Sequence, residues 1–229
     1  MSRRQLPSWR DVLVVVAHPD DESFGLGAVI DTFVRGGSRV RVLCLTRGEA
    51  STLGGELADL GATRARELAE AGAALGVAET RLLGWPDGGL AAVPVGDLAA
   101  AVADELAARH TDGVLAFDPS GVTGHPDHAA ATAAAVHAAE AADRPVLGWT
   151  LPVEVAAAVN AQFGSGLVGH ADADVDLDLA VDRTSQRSAV LAHATQAVPG
   201  SILWRRLELL GDREVLRWLR PNRSGPAMR

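Results

Sequence analysis

Short apolar runs rich in Val and Leu alternate along this chain with longer Ala-rich stretches. Residues 11–17 (DVLVVVA) are apolar at nearly every position, the pattern of a strand buried on both faces. Residues 39–45, 80–84 and 113–117 read as strands as well. Between these runs, residues 25–35, 63–75, 96–109 and 126–142 carry apolar side chains at helical spacing. Such alternation, with glycine-bearing turns between, predicts an α/β fold of the Rossmann-like kind. Helices cover both faces of a mostly parallel sheet in three α/β/α layers. Past Pro145 the pattern loosens. Residues 146–152 and 175–179 read as two more strands, a small C-terminal addition. Residues 183–192 and 202–218 read as helices, with room for a break at Gly211. Residues 221–229 (PNRSGPAMR) read as a frayed tail. No repeat and no linker divides the sequence, so the 229 residues are expected to form one domain.

Composition narrows the chemistry. The apolar share is 48%, ample for a core. Against 29 acidic residues stand 21 basic ones, a net charge of −8, so nothing attracts nucleic acid or an anionic membrane surface. The chain has no lysine and no tyrosine. That removes a P-loop phosphate lysine, a Schiff base, a Ser-Lys pair and a phenolic acid or nucleophile. The single cysteine, Cys44, rules out an intrachain disulfide and a multi-cysteine zinc ribbon. It sits in an apolar strand pattern and is read as a packed core thiol rather than a nucleophile. No Gly-x-Ser-x-Gly elbow occurs, and Ser23 and Ser120 stand in turn or helix-start contexts. The apolar run at residues 12–17 is too short for a signal-peptide core or a membrane span. It runs straight into His18-Pro19-Asp20-Asp21, so a cytoplasmic protein is expected.

In an open α/β sheet, ligands gather outside the carboxyl ends of the strands, where strand order reverses. Two loops at such ends hold most of the reactive side chains. Ala17-His18-Pro19-Asp20-Asp21-Glu22 follows the first strand, and Gly124-His125-Pro126-Asp127-His128 follows the fourth. Two imidazoles and one carboxylate, with a coordination position left open, form the ligand set of a hydrolytic zinc site. A turn can aim His18 and Asp21 inward while Asp20 points elsewhere, and His128 can arrive from the second loop. Pro126 suits the first turn of the following helix, which sets His125 and His128 on one face. Either motif alone is explained as a turn or cap, and His110, His137 and His170 are read as histidines of that ordinary kind. Two such motifs at the mouth of one sheet are harder to explain that way.

Together, AHPDDE (17–22) and GHPDH (124–128) resemble the PIG-L/LmbE-like family of zinc-dependent N-deacetylases. The likeness extends to Thr46-Arg47-Gly48-Glu49, to Arg64 and Glu67 with Leu75-Gly76, to Trp85-Pro86-Asp87-Gly88 and to His193-Ala194-Thr195-Gln196. It covers about residues 11–197 in the expected order and weakens after residue 145. The resemblance implies a hydrolase that removes an N-acetyl or similar N-acyl group from an amino-sugar-containing small molecule. It implies one Zn²⁺ per chain, with Fe²⁺ or Co²⁺ acceptable to the same ligands. His18, Asp21 and His128 would hold the metal, and Asp20 would be the general base. His125 would stabilise the tetrahedral intermediate or protonate the departing amine, and Asp127 would orient a histidine from behind. Arg64 and Asp87 would reach sugar hydroxyls or an anionic part of the substrate, and His193 would border the pocket. Trp85 is the best candidate among the five tryptophans for a sugar-lining ring; Trp204 and Trp218 sit at helical positions and suit core or interface.

There are departures from the family pattern. Thr123 stands where some relatives carry a tyrosine, and Gly27-Ala28 replaces a usual Gly-Gly. The chain is shorter than the family's thiol-cofactor deacetylases, which implies that a large substrate-covering C-terminal section is missing. Two other readings remain open. One is a zinc amidase acting on a larger amide such as a thiol conjugate. The other is a non-catalytic metal-binding α/β module using Asp20 and Asp21 for Mg²⁺. Phospho-receiver domains need a lysine absent here and give the three histidines no reason to converge. The expected partner is a small N-acetylated sugar or glycoconjugate, with no nucleic acid and no membrane span. A homo-oligomer is open.

Overall fold

The strand-forming runs pair into one seven-stranded sheet. The structure, a computed structural model, describes residues 5–53 and 58–221. The strands are β1 (Asp11–Val16), β2 (Arg39–Thr46), β3 (Glu79–Trp85), β4 (Gly113–Phe117), β5 (Val146–Thr150), β6 (Leu177–Ala180) and β7 (Arg213–Arg220). The helices are α1 (Asp21–Phe24), α2 (Gly27–Arg35), α3 (Leu60–Leu75), α4 (Val95–Ala108), α5 (Pro126–Ala141), α6 (Val153–Phe163), α7 (Thr184–Ala192) and α8 (Ile202–Leu210). Strand order is β3-β2-β1-β4-β5-β7-β6. The first five strands in sequence run parallel, and β7 runs antiparallel to both β5 and β6. The mostly parallel sheet is the architecture the pattern predicts, but β5 continues the parallel part, and the C-terminal addition is β7 and β6, not β5 and β6.

The unbroken apolar run of β1 has a direct cause. Val12, Val14 and Val16 pack on one face with Val29, Ile30 and Phe33 of α2 and with Leu68 and Leu75 of α3. Leu13 and Val15 pack on the other with Leu98 and Val102 of α4 and Ala131, Ala134 and Ala138 of α5. With both faces covered, no polar position is left to alternate. Each fully buried Val or Leu contributes roughly 1.5–3 kcal/mol. Cys44 is wholly buried in the first of these clusters, and burial pushes its thiol well above the usual range.

Topology then fixes where the site lies. From β1 the chain moves outward to β2 and β3, then returns to lay β4 against the free side of β1. Strand order therefore reverses between β1 and β4. The loops leaving the carboxyl ends of these two neighbours are the two His-Pro-Asp loops.

The structure departs from these expectations in the C-terminal half. The helix expected over 202–218 ends at Leu210. Gly211 takes φ 56, and the chain returns through the sheet as β7 between β5 and β6. Pairing on both edges outweighs a helical pattern in this stretch. Trp218 therefore lies on a strand packed against the core. Helix α6 is absent from the sequence reading; of its residues only Val155, Ala156 and Val159 are buried, too few to stand out as a stripe. Residues 222–229 of the expected tail lie outside the described residues. Among the described residues, no helix is long and apolar enough to cross a membrane.

Candidate active site

The first loop is held in an unusual conformation. Asp20 adopts φ 136, which a residue with a Cβ rarely takes and which costs about 1–3 kcal/mol. Two contacts impose it. The Asp20 N–H donates to Glu22 Oε2 at 3.0 Å, and its carboxylate meets Arg64 Nη2 at 2.9 Å. Arg64, on α3 and 3% exposed, also donates to the carbonyls of Gly48 and Pro19. Gly48 has φ 66, and a Cβ there would collide with the Arg64 guanidinium. One residue further on, Asp21 Oδ2 accepts the His18 N–H at 2.9 Å, closing the turn.

The second loop delivers α5. Pro126 occupies the first turn, and His125 caps the helix, its Nδ1 accepting the Asp127 N–H at 3.2 Å. The His125 proton therefore sits on Nε2. One turn later, His128 Nδ1 lies 3.2 Å from the Gly121 carbonyl and 2.9 Å from Thr123 Oγ1. A carbonyl only accepts, so Nδ1 carries the proton and the Nε2 lone pair faces the site. Asp127 is wholly buried and accepts the N–H groups of Gly88 (2.8 Å) and Leu90 (3.0 Å), which ties the segment after β3 to α5.

The two loops meet at His18. Its Nδ1 is 3.1 Å from His128 Nε2 and 3.6 Å from Asp21 Oδ2, while Asp21 Oδ1 is 3.1 Å from His128 Nε2. Its Nε2 faces Asp87 Oδ1 at 3.1 Å and Asp127 Oδ2 at 3.3 Å. Carboxylates on that side keep the proton on Nε2, so the His18 Nδ1 lone pair points at the lone pair of His128. Two facing lone pairs beside a carboxylate are unfavourable without a positive charge between them. Tetrahedral zinc with ligand bonds of about 2.0–2.2 Å spaces its ligand atoms about 3.3–3.6 Å apart, and the observed separations bracket that range. The donor set fits a divalent cation.

With no cation bound, a proton on His18 supplies the positive charge between these groups. Burial opposes a charge on His18, but Asp21 and Asp87 outweigh it and raise its pKa to about 11. Burial pushes Asp21 up, but His128 and His18 carry it well below the usual carboxylate range. Asp21 thus stays ionised, and a divalent cation would take the place of the His18 Nδ1 proton. Ligand atoms of His18, His125 and His128 lie within 4.8 Å of one another, as do those of His18, Asp87 and Asp127. The second group is already engaged: Asp87 Oδ2 accepts the Ala50 N–H at 2.8 Å, and Asp127 accepts its two backbone donors. The Nδ1 side of His18 is the freer one. Next to it, burial raises Asp20 to about 6 despite the opposing Arg64 charge. His125 is lowered by desolvation and by the neighbouring His18 and His128, so it is neutral at pH 7.

A cleft of about 540 Å³ opens over the cluster, lined by His18, Asp20, Asp21, Asp87, His125 and His128 among others. Arg64 also lines it, yet its Nη atoms are taken by Gly48, Pro19 and Asp20, and the Asp87 oxygens are taken by His18 and Ala50. His193, expected at the pocket border, is fully buried behind it, with Nε2 2.7 Å from Glu22 Oε1. Glu22 in turn accepts the Asp20 N–H, so His193 is linked to the Asp20 backbone through it. Trp85 packs on the core face beside β1 and β2 instead of lining the cleft. Sequence reasoning gave no role to Glu22, although it sits inside the first motif. Phe24, Phe117 and Arg206 also line the cleft, and nothing in their local sequence marks them.

Residues 13–139 match the family described as PIG-L, GlcNAc-PI de-N-acetylase. A 1D-myo-inositol 2-acetamido-2-deoxy-alpha-D-glucopyranoside deacetylase from Mycolicibacterium vanbaalenii is 36% identical over 228 residues, covering 81% of this chain and 80% of that protein. A conserved protein from Thermus thermophilus has a similar structure, with a TM-score of 0.71 and 26% identity over 96% of this chain and 99% of its own. The 4-carboxy-2-hydroxymuconate hydratase GalB from Pseudomonas putida is also similar, with a TM-score of 0.67 and 19% identity over 96% of this chain and 100% of its own. That last likeness is one of fold alone, and a fold does not name its reaction. The family match over more than half the sequence, and a relative sharing over a third of its residues across most of both proteins, settle the lineage: this chain belongs to the PIG-L family.

Proposed function

We propose that this chain is a metal-dependent N-deacetylase. It hydrolyses the acetamide of an N-acetylated amino sugar or glycoconjugate, and acetate and a primary amine are released. The observation that carries this reading is the convergence of His18 Nδ1, Asp21 and His128 Nε2 at 3.1–3.6 Å beside Asp20, a half-buried carboxylate paired with Arg64. The deacetylase activity named for the Mycolicibacterium relative supports the substrate class.

His18, Asp21 and His128 would hold the cation, with Zn²⁺ favoured by imidazole and carboxylate and with Fe²⁺ or Co²⁺ accepted by the same set. When bound, the cation supplies Lewis acidity to the reacting groups. Asp20 takes a proton from the attacking water. Arg64 holds one of its oxygens at 2.9 Å and Glu22 fixes its backbone, so it is oriented before substrate arrives. A carboxyl near 6 accepts a proton and returns it to the departing nitrogen at neutral pH. His125, in the cleft with its proton on Nε2, donates to the carbonyl oxygen as charge develops there, a contribution of about 3–4 kcal/mol. Its neutral form is enough for that role. Asp127 and Asp87 hold His18 through Nε2 and keep its tautomer. With no tyrosine in the chain, Thr123 Oγ1 buttresses His128 at 2.9 Å and leaves the carbonyl to His125. A cytoplasmic location and a small-molecule partner belong to the same proposal.

The experiment is an acetate- and amine-release screen over N-acetylglucosaminides, with protein stripped of metal and reloaded with Zn²⁺. Release that depends on metal is expected. A folded protein that releases neither product from any acetamido sugar contradicts the reading, and preferential release of a bulkier acyl group moves it to a larger amide.

A further inference from the structure

Two arginines line the cleft, and their charges are balanced differently. Arg64 is paired with Asp20. Arg206, on α8 and 5% exposed, has no carboxylate within 4.0 Å among the described residues. Its guanidinium lies over the Trp149 ring, 5.1 Å from the centroid, and one arm donates to the Phe24 carbonyl. Its Nε, like that of Arg64, is buried with no partner. The nearby acid, Glu214, is fully engaged elsewhere: Oε1 binds Arg183 Nη1 at 2.6 Å, and Oε2 accepts the Trp149 Nε1–H at 2.7 Å. One buried carboxylate thus serves two buried guanidinium groups, and Arg183 takes it. Burial pulls Arg206 down to about 10, so it remains charged at neutral pH. A buried charge left unpaired is expensive unless a ligand completes it.

The position of this charge says what the ligand is. A line of ring contacts runs from the metal cluster to it: His128 to Phe117 at 5.0 Å, Phe117 to Trp149 at 5.1 Å, then Trp149 to Arg206. Gly25 lets these rings lie against the motif, because a Cβ there would come within 2.7 Å of Phe117. Arg206 therefore faces the same cleft as the reacting groups, but two rings away from His128. We propose that Arg206 is an oxyanion-binding residue: it takes a phosphate or carboxylate carried by the substrate away from the acetamide. This rests on the deacetylase reading for the identity of the substrate, and it specifies that the natural substrate is an acidic one. Planar, always charged arginine suits both oxyanions.

The test uses the full-length protein with Arg206→Met and Arg206→Lys. Calorimetric binding is measured for N-acetylglucosamine 1-phosphate, N-acetylglucosamine 6-phosphate, N-acetylmuramic acid, the neutral methyl N-acetylglucosaminide and inorganic phosphate alone. At least one acidic sugar is expected to bind about ten- to hundredfold more tightly than the methyl glycoside, the range of a charge-assisted contact. That ratio should fall to about one in Arg206→Met and be partly kept in Arg206→Lys, which retains a charge without the planar fork. The ratio of kcat/KM values between the acidic and neutral sugars should fall with it. An unchanged ratio in a folded Arg206→Met protein overturns the proposal. So does inorganic phosphate binding as tightly as the sugar phosphates, which would make this a free-ion site. If no sugar is deacetylated yet the Arg206-dependent binding ratio stands, the activity reading fails and the subsite survives.

Discussion

His18 turns one ring nitrogen to His128 and Asp21 and the other to Asp87 and Asp127. That division separates residues that would hold a cation from residues that hold the holder. Asp20→Asn keeps the shape of the turn and removes the base, so turnover should fall about 10²–10⁴-fold while metal content stays unchanged. Amine release and metal analysis on one preparation check both halves. His193 would act on Asp20 through Glu22, whose carboxylate it meets at 2.7 Å. Burial opposes its charge, but Glu22 outweighs this and the net shift is upward from 6.5. The folded protein then keeps a proton that the unfolded chain gives up above 6.5, so the pair's stabilisation is complete below that pH and declines as pH rises through the higher folded value. His193→Ala should cost about 3–5 kcal/mol at low pH. Urea unfolding should show the gap between wild type and variant narrowing as pH rises above 6.5; a constant gap removes the ion pair. The motif residues were legible because their types and spacing carry the chemistry. Which polar group Arg64, Asp87 or His193 meets first is set by packing between distant segments, and local sequence does not encode it.

At the scale of elements, β1 was readable from its length and its unrelieved apolar run, because a strand covered on both faces has no polar positions to confuse with a helix. The REVLRWLR segment of β7 was not. Its apolar residues satisfy helical spacing as well as strand spacing, and only the open edge between β5 and β6 decides. Leu216 pairs with Trp149 and Leu177 and is fully buried, so Leu216→Ala should destabilise by about 2–5 kcal/mol. On an exposed helix the same change would stay within about 0.5 kcal/mol, and thermal melts separate the two. The loop after β2 makes a second element-level case. Gly48→Ala strains a left-handed position and displaces Arg64 from Asp20. Activity should fall in parallel with a stability loss of about 1–3 kcal/mol, whereas full activity would show that Arg64 does not position the base.

The whole molecule explains why residues over a hundred positions apart share one site. The sheet reverses its order between β1 and β4, and each of those strands ends in a His-Pro-Asp loop. Fold class followed from the alternation of elements, and the site's address followed from that topology. The proposed oxyanion subsite at Arg206 depends on α8 placing its guanidinium over Trp149 of β5, which no short motif records. A cation bound to the folded cluster and not to the unfolded chain should raise stability by about 2.7 kcal/mol at a hundredfold excess over its Kd. The central claim is that His18, Asp21 and His128 hold a divalent cation, and calorimetric Zn²⁺ titration of chelator-stripped protein tests it most directly. Wild type and the exposed control His137→Ala should each take up a single ion per chain, and His128→Ala should lose that binding while remaining folded. A folded wild type that takes up no Zn²⁺, Fe²⁺ or Co²⁺, or a His128→Ala protein that binds as tightly as wild type, would contradict it.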